Sequence, residues 1–185
     1  MDIDWNAQLV DQLDWHWQHH LRPRFDGLTD EEYFWEPVPG CWNVRRRGES
    51  KAPIEAGSGE YTIEFAIPAP EPAPVTTIAW RLGHIIVGVL GQRSASHFGG
   101  PPAEYRTFAY AGMANEALRQ LDDAYARWMK GVRDLGVEDL GRACGPAEGP
   151  FADLPLGALV LHINRETIHH GAEIALLRDL YRDQG

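Results

Sequence analysis

HINRETIHHGAEIALLRDLY, residues 162–181, places three histidines and two glutamates within twelve positions of a segment that otherwise reads as a helix. At about 100° per residue, with His162 at the origin, Glu166 falls at about 40°, Glu173 at about 20°, His170 at about 80° and His169 at about −20°. The five side chains share roughly a quarter of the circumference. Leu159, Leu177 and Leu180 project into the same sector, whereas Asn164, Arg165 and Asp179 lie roughly opposite and read as solvated. Acids and bases flanked by leucine on their own face need partners or a cation, because an isolated buried charge is costly. Two readings are open. One is a hydrogen-bonded core network, with Glu166 paired to Arg93 or Arg165; the other is a metal site.

A metal site needs a ligand from a second helix, and TTIAWRLGHIIVGVLGQR, residues 76–93, supplies a candidate. His84 stands there amid Leu82, Ile85, Ile86 and Val87. A lone histidine in such a place is usually a satisfied core residue. Its meaning changes when a facing helix offers Glu and His, since three N/O ligands from two helices make an open site.

The remaining chain supports a helical reading. Residues 5–21 carry Leu9, Leu13, Trp17 and Leu21 at helical spacing, and Thr29 or Asp30 caps a short helix ending before Pro37. Residues 36–60 read as loop, and YTIEFAI, residues 61–67, as one short strand or hairpin arm. The proline-rich run PAPEPAPV leads to a helix over residues 76–97 capped by Thr76 or Thr77. A third helix over residues 112–135 has Leu118, Leu121, Tyr125, Trp128 and Val132 on its apolar face. Residues 136–155 read as loop, and a fourth long helix runs from residue 155 or 156 to 183. Four helices of this length with one small β insert predict an all-α bundle in a single domain spanning residues 1–185.

With 185 residues, 44% of them hydrophobic and seven tryptophans, the chain is long and apolar enough for one folded core. A formal net charge of −10 argues against nucleic-acid binding. The basic run Arg45-Arg46-Arg47 reads as a solvated turn, with an anion site as the lesser reading. Cys41 and Cys144 lack disulfide or thiolate-metal spacing, and no targeting or membrane segment is signalled, so a cytoplasmic setting without membrane contact is expected.

Three blocks in order, LTDEEYFWEPVPGCWNVR (28–45), TTIAWRLGHI (76–85) and INRETIHHGAEIALLRDLY (163–181), resemble the DinB-like proteins of the DinB/YfiT superfamily. The resemblance covers nearly the whole chain. It implies an up-down four-helix bundle with one histidine ligand on the second helix and an HxxxH pair on the fourth. Carried over by position, His84 matches the first ligand and His170 the last. Glu166 occupies the place where the family commonly has histidine. The resulting metal set is His84, Glu166 and His170, a two-histidine, one-carboxylate site suited to zinc, nickel, iron(II) or manganese. Glu166 could instead act as a catalytic base. His162 and His169 are competing ligand assignments, Glu173 would orient an imidazole, and His16, His19 and His20 would be surface or rim residues.

The implied activity is that of a metal-dependent enzyme acting on a small molecule. It would be a transferase or isomerase using a low-molecular-weight thiol as cosubstrate, or a metal-assisted hydrolase, with Trp42, Trp80 and less readily Trp128 walling the pocket. The alternative is a non-catalytic bundle that binds a small molecule or forms a homodimer, its metal structural or absent.

Overall fold

The structure, a computed structural model, describes residues 3–184. It is mostly helical with a small antiparallel sheet. Helix α1, Trp5–His16, is capped by Asp4, whose carboxylate accepts the Ala7 N–H at 3.0 Å, and continues through a π-helical turn, Trp17–Leu21. Helix α2, Asp30–Phe34, is capped by Thr29. Strands β1 (Val44–Arg46), β2 (Ile54–Ala56) and β3 (Tyr61–Phe65) follow, with β3 central in the order β1-β3-β2. Thr77 caps α3, Ile78–His84, which passes through a π-helical segment, Ile85–Gly91, into α4, Gln92–Phe98. Helices α5 (Ala114–Arg133), α6 (Val137–Leu140) and α7 (Leu156–Arg182) complete the described chain, with a 3-10 segment, Pro146–Phe151, before α7.

The expected four long helical runs are present as α1, α3 with α4, α5 and α7, and the described residues hold two further short helices, α2 and α6. Two of the long runs are divided by π-helical turns, which apolar periodicity does not signal. Residues 36–60 are not simply loop, because β1 and β2 flank β3 there. Their organising group is the fully buried Glu64 carboxylate, which accepts from the backbone of Asn43 at 2.9 Å and Lys51 at 2.5 Å, from Arg45 Nε at 2.9 Å and from Ser50 at 3.2 Å. A buried carboxylate is tolerable only when its lone pairs are filled in this way. Arg45 is thus a largely buried strand residue held between Glu36 and Glu64, not part of a solvated turn. Residues 136–155 hold α6 and the 3-10 segment rather than loop alone.

The apolar faces meet in one buried cluster drawn from α1, α3, the π-helical segments, α5 and α7, including the five residues expected on α5. Asn164, expected in solvent, is buried and donates to Leu9 O at 2.9 Å, which ties α7 to α1. Leu180, expected inward, is exposed. Gly171 allows the closest approach of these two helices, since a Cβ there would overlap Leu21. Helices α1 and α5 are joined where Trp17 stacks on Tyr125, with centroids 3.8 Å apart, and the Tyr125 hydroxyl donates to Asp14 at 2.6 Å.

Arg178, near the end of α7, is buried and forms a forked pair with Glu32 of α2 at 2.6 and 3.0 Å, and it also donates to the carbonyls of Arg24 and Asp26. Glu32→Ala would strand this guanidinium. The expected loss is about 3–5 kcal/mol of stability, seen as a lower urea midpoint, with the joint replacement of Glu32 and Arg178 by Leu and Met costing less. The Tyr125 hydrogen bond, aided by Arg133, holds the Asp14 carboxyl below its ordinary value of 3.8. A depressed carboxyl stabilises the fold above the unfolded value and ceases to do so as pH falls through the folded one. Tyr125→Phe should therefore be less stable than the parent at neutral pH, with the difference shrinking below about pH 4 in denaturation series.

Candidate metal centre

The inward face of α7 explains how its histidines and glutamates are distributed. Leu156, Val160, Ile163, Thr167, Gly171, Ile174 and Arg178 are buried, which centres that face at roughly 140° from His162 on the helical wheel. His170, Glu166, Glu173, His162 and His169 lie roughly 60°, 100°, 120°, 140° and 160° from that centre. Their side chains are 12%, 27%, 30%, 43% and 63% exposed, in the same order. The cluster is therefore a graded flank of the helix. His170 is tucked under, and His169 stands in solvent.

His170 meets α3. Its ring lies perpendicular to that of His84, with centroids 4.8 Å apart. On the other side its Nδ1 is 2.7 Å from Glu173 Oε2 and 3.1 Å from Arg81, while Arg81 and Glu173 are themselves 2.5 Å apart. Nδ1 can serve one in-plane partner, and an arginine can only donate. Since the carboxylate can only accept and is the nearer of the two partners, the consistent assignment is His170 Nδ1–H donating to Glu173. The Nε2 lone pair is then free, and Glu166 Oε2 stands 3.5 Å from it. Carboxylate-oriented imidazoles of this kind are the usual form of a metal-ligating histidine.

His84 is held by aromatic groups. It stacks on Trp80 at 5.4 Å, and its Nδ1 is 2.6 Å from the Tyr105 hydroxyl. Trp80 is fixed in turn by its indole N–H, which donates to Glu64 O at 2.6 Å. Burial, then the nearby His170, Arg81 and Arg93, push the His84 imidazolium down to about 4, so the ring is neutral near pH 7. Burial pushes Tyr105 up to about 12, so it is a phenol there. Ligation by His84 through Nε2 requires the tautomer in which Nδ1–H donates to the Tyr105 hydroxyl. A hollow of about 240 Å³ opens beside it, walled by Ile63, Phe65, Trp80 and Tyr105.

The structure thus brings His84 to His170, and His170 to Glu166. Among the described residues, the set of three whose ligand atoms all lie within 4.8 Å of one another is a different one: His169, His170 and Glu173. That grouping spends Glu173 on both His170 and Arg81 and relies on a solvent-exposed imidazole. His84, Glu166 and His170 offer two ring nitrogens and a carboxylate, all less exposed than His169, a donor set that fits a divalent ion of intermediate softness. His162 lies 3.6 Å from Glu166 and accepts from Arg165 at 2.7 Å. His19 and His20 are exposed and His16 partly so.

Trp80 lines the hollow, and Trp42 backs it from 6.2 Å. Trp128 instead packs on Phe98 in the core. Tyr105 and Arg81 were not legible as site residues. Tyr105 lies in an irregular segment without periodicity, and Arg81 stands three positions before His84, where only the packed neighbour helix gives it meaning. Among the described residues, no helix is long and apolar enough to cross a membrane.

A family model described as the DinB superfamily matches residues 12–174. No curated protein and no solved structure matches the chain.

Tyr105→Phe should leave the buried His84 Nδ1 without a partner. We expect a loss of about 1–3 kcal/mol in chemical denaturation and a mixed His84 tautomer in nitrogen NMR, where the parent shows one. A single unchanged tautomer would show that Tyr105 does not orient the ring.

Proposed function

This chain belongs to the DinB superfamily, and we propose that it is a divalent-metal-dependent enzyme whose ion is held by His84, Glu166 and His170. The four long helical runs would form the up-down bundle of that superfamily, and the substrate would be a small molecule. The observation that carries this reading is the His170 ring, which lies against the His84 ring with Nδ1 at Glu173 and Nε2 at Glu166.

When bound, zinc, nickel, iron(II) or manganese supplies Lewis acidity and lowers the pKa of a thiol or water. The chain's own residues do the rest. Glu173 and Tyr105 would hold the two imidazoles in the tautomers that expose Nε2. Trp80, Phe65 and Ile63 keep the hollow beside His84 apolar, which strengthens nearby electrostatic interactions and excludes competing water. Glu166 turns Oε2 toward His170. Its Oε1, 3.6 Å from His162 and from Arg165, would be the atom that accepts a proton during reaction. Cys41 and Cys144 lie outside this hollow. A thiol-dependent transfer or isomerisation would therefore draw its sulfur from a cosubstrate, and a metal-assisted hydrolysis would need none.

Elemental analysis of the untagged protein tests the ligand set. Stoichiometric metal is expected in the parent and in His169→Ala, and its loss in His84→Ala, His170→Ala and Glu166→Gln with the fold intact by circular dichroism. Metal retained in His84→Ala but lost in His169→Ala would overturn this set for the alternative grouping. An absence of metal under every loading condition would favour a non-catalytic small-molecule-binding bundle.

A further inference from the structure

A second cavity, of about 380 Å³, lies between α4, the 3-10 segment and the first half of α7. His84, Glu166 and His170 do not line it, although His162 and Arg165 of its wall stand 3.6 Å from Glu166, so the binding test compares protein with and without metal. Its volume falls in the range of small-molecule pockets. Its lining is divided by chemistry. On one side stand Arg93, Arg165 and His162, with Glu148 beside Arg93; on the other, Phe151 and Leu154 present large apolar side chains that are 62% and 48% exposed.

The polar side has donors to spare. Arg93 is anchored by its NH1 on the Gly88 carbonyl, but its NH2 makes only a 3.3 Å contact with Glu148 and its Nε is buried without a partner. Arg165 donates to His162 Nδ1 at 2.7 Å, has its Nε 3.6 Å from Glu166 Oε1, and is otherwise largely exposed. Because an arginine can only donate, His162 Nδ1 must accept, which puts the ring proton on Nε2 and makes it a further donor. Two guanidinium groups and an N–H therefore border one hollow on a chain whose formal net charge is −10. The Glu148 carboxylate limits the charge that can enter. It is shared between Arg93 and His97, the latter at 2.9 Å, and would repel a dianion more than a monoanion.

We propose that this cavity binds a small carboxylic acid bearing a short apolar chain. Its carboxylate would meet Arg93, Arg165 and His162, and its chain would cover Phe151 and Leu154. Guanidinium–carboxylate pairing gives orientation through paired donors, and burial of the chain supplies the hydrophobic contribution.

The test is titration of the full chain with hexanoate, 1-hexanol and hexyl phosphate, followed by calorimetry and by backbone amide shifts at Phe151 and Leu154, in chelator-treated and zinc-supplemented protein. Saturable hexanoate binding, at least about tenfold tighter than hexanol and equal with and without zinc, is expected. Arg165→Gln should weaken hexanoate about tenfold and leave hexanol unchanged, whereas Leu154→Asn should weaken both. Equal binding of hexanol and hexanoate, or indifference to Arg165→Gln, would overturn the carboxylate contact. Tighter binding of hexyl phosphate would overturn the monoanion. Hexanoate binding that vanishes with the metal would place the carboxylate at the ion instead. No saturable hexanoate binding would overturn the site as a whole, with the ligand set of the metal centre still open to its own elemental analysis.

Discussion

The forked bond between Arg178 and Glu32 constrains where α7 lies. Taking two charges out of water costs several kcal/mol per ion, and the cost is recovered only where the geometry is good and the remaining donors are filled. Arg178 meets Glu32 and the carbonyls of Arg24 and Asp26 together, so sliding α7 by one residue would strand a buried charge. Gly171 lies seven residues back, about 10 Å along the axis, and packs directly under the Leu21 side chain, which a Cβ there would displace. Between them these contacts set both the axial position and the rotation of the helix. The neighbouring His170 is thereby placed against His84.

The other half of the centre depends on the small sheet. Glu64 gathers β1, β3 and the intervening segment around its carboxylate, and its backbone carbonyl receives the Trp80 indole. Trp80 then supports His84 from the protein side. The two histidines are thus positioned by separate buried acids, Glu32 through α7 and Glu64 through α3. Each acid lies far from its histidine in sequence, and neither touches it.

Much of this was legible beforehand, for identifiable reasons. The apolar periodicity of α5 was strong enough that all five expected residues are buried. Thr29 and Thr77 cap as their side chains suggest. The two ends of the proposed ligand set could be matched because the HH doublet and the His84 block stand in recognisable surroundings. The failures are equally physical. Asn164 was assigned to solvent because an amide is polar, yet it is buried where Leu9 and Gln12 offer acceptors. Arg45 reads as a turn residue because its basic run is short and adjoins Gly48 and Glu49, yet Glu36 and Glu64 draw it into the sheet. Strands of three residues are too short to show alternation.

What the sequence by itself determined is the helical character of the chain, its long apolar stripes and the set of nitrogen and oxygen donors grouped on one sector of the closing helix. These follow from local periodicity and side-chain chemistry, which need no partner to be read. Only the tertiary structure decided which of those donors are sheltered and how each ring is turned. Exposure along the flank of α7 follows each residue's angle from the buried face, and that face is chosen by Arg178, Gly171 and Asn164 finding partners on α1, α2 and the turn between them. The tautomers of His84 and His170 depend in the same way on Tyr105 and Glu173, whose relation to the rings is a matter of packing and distance.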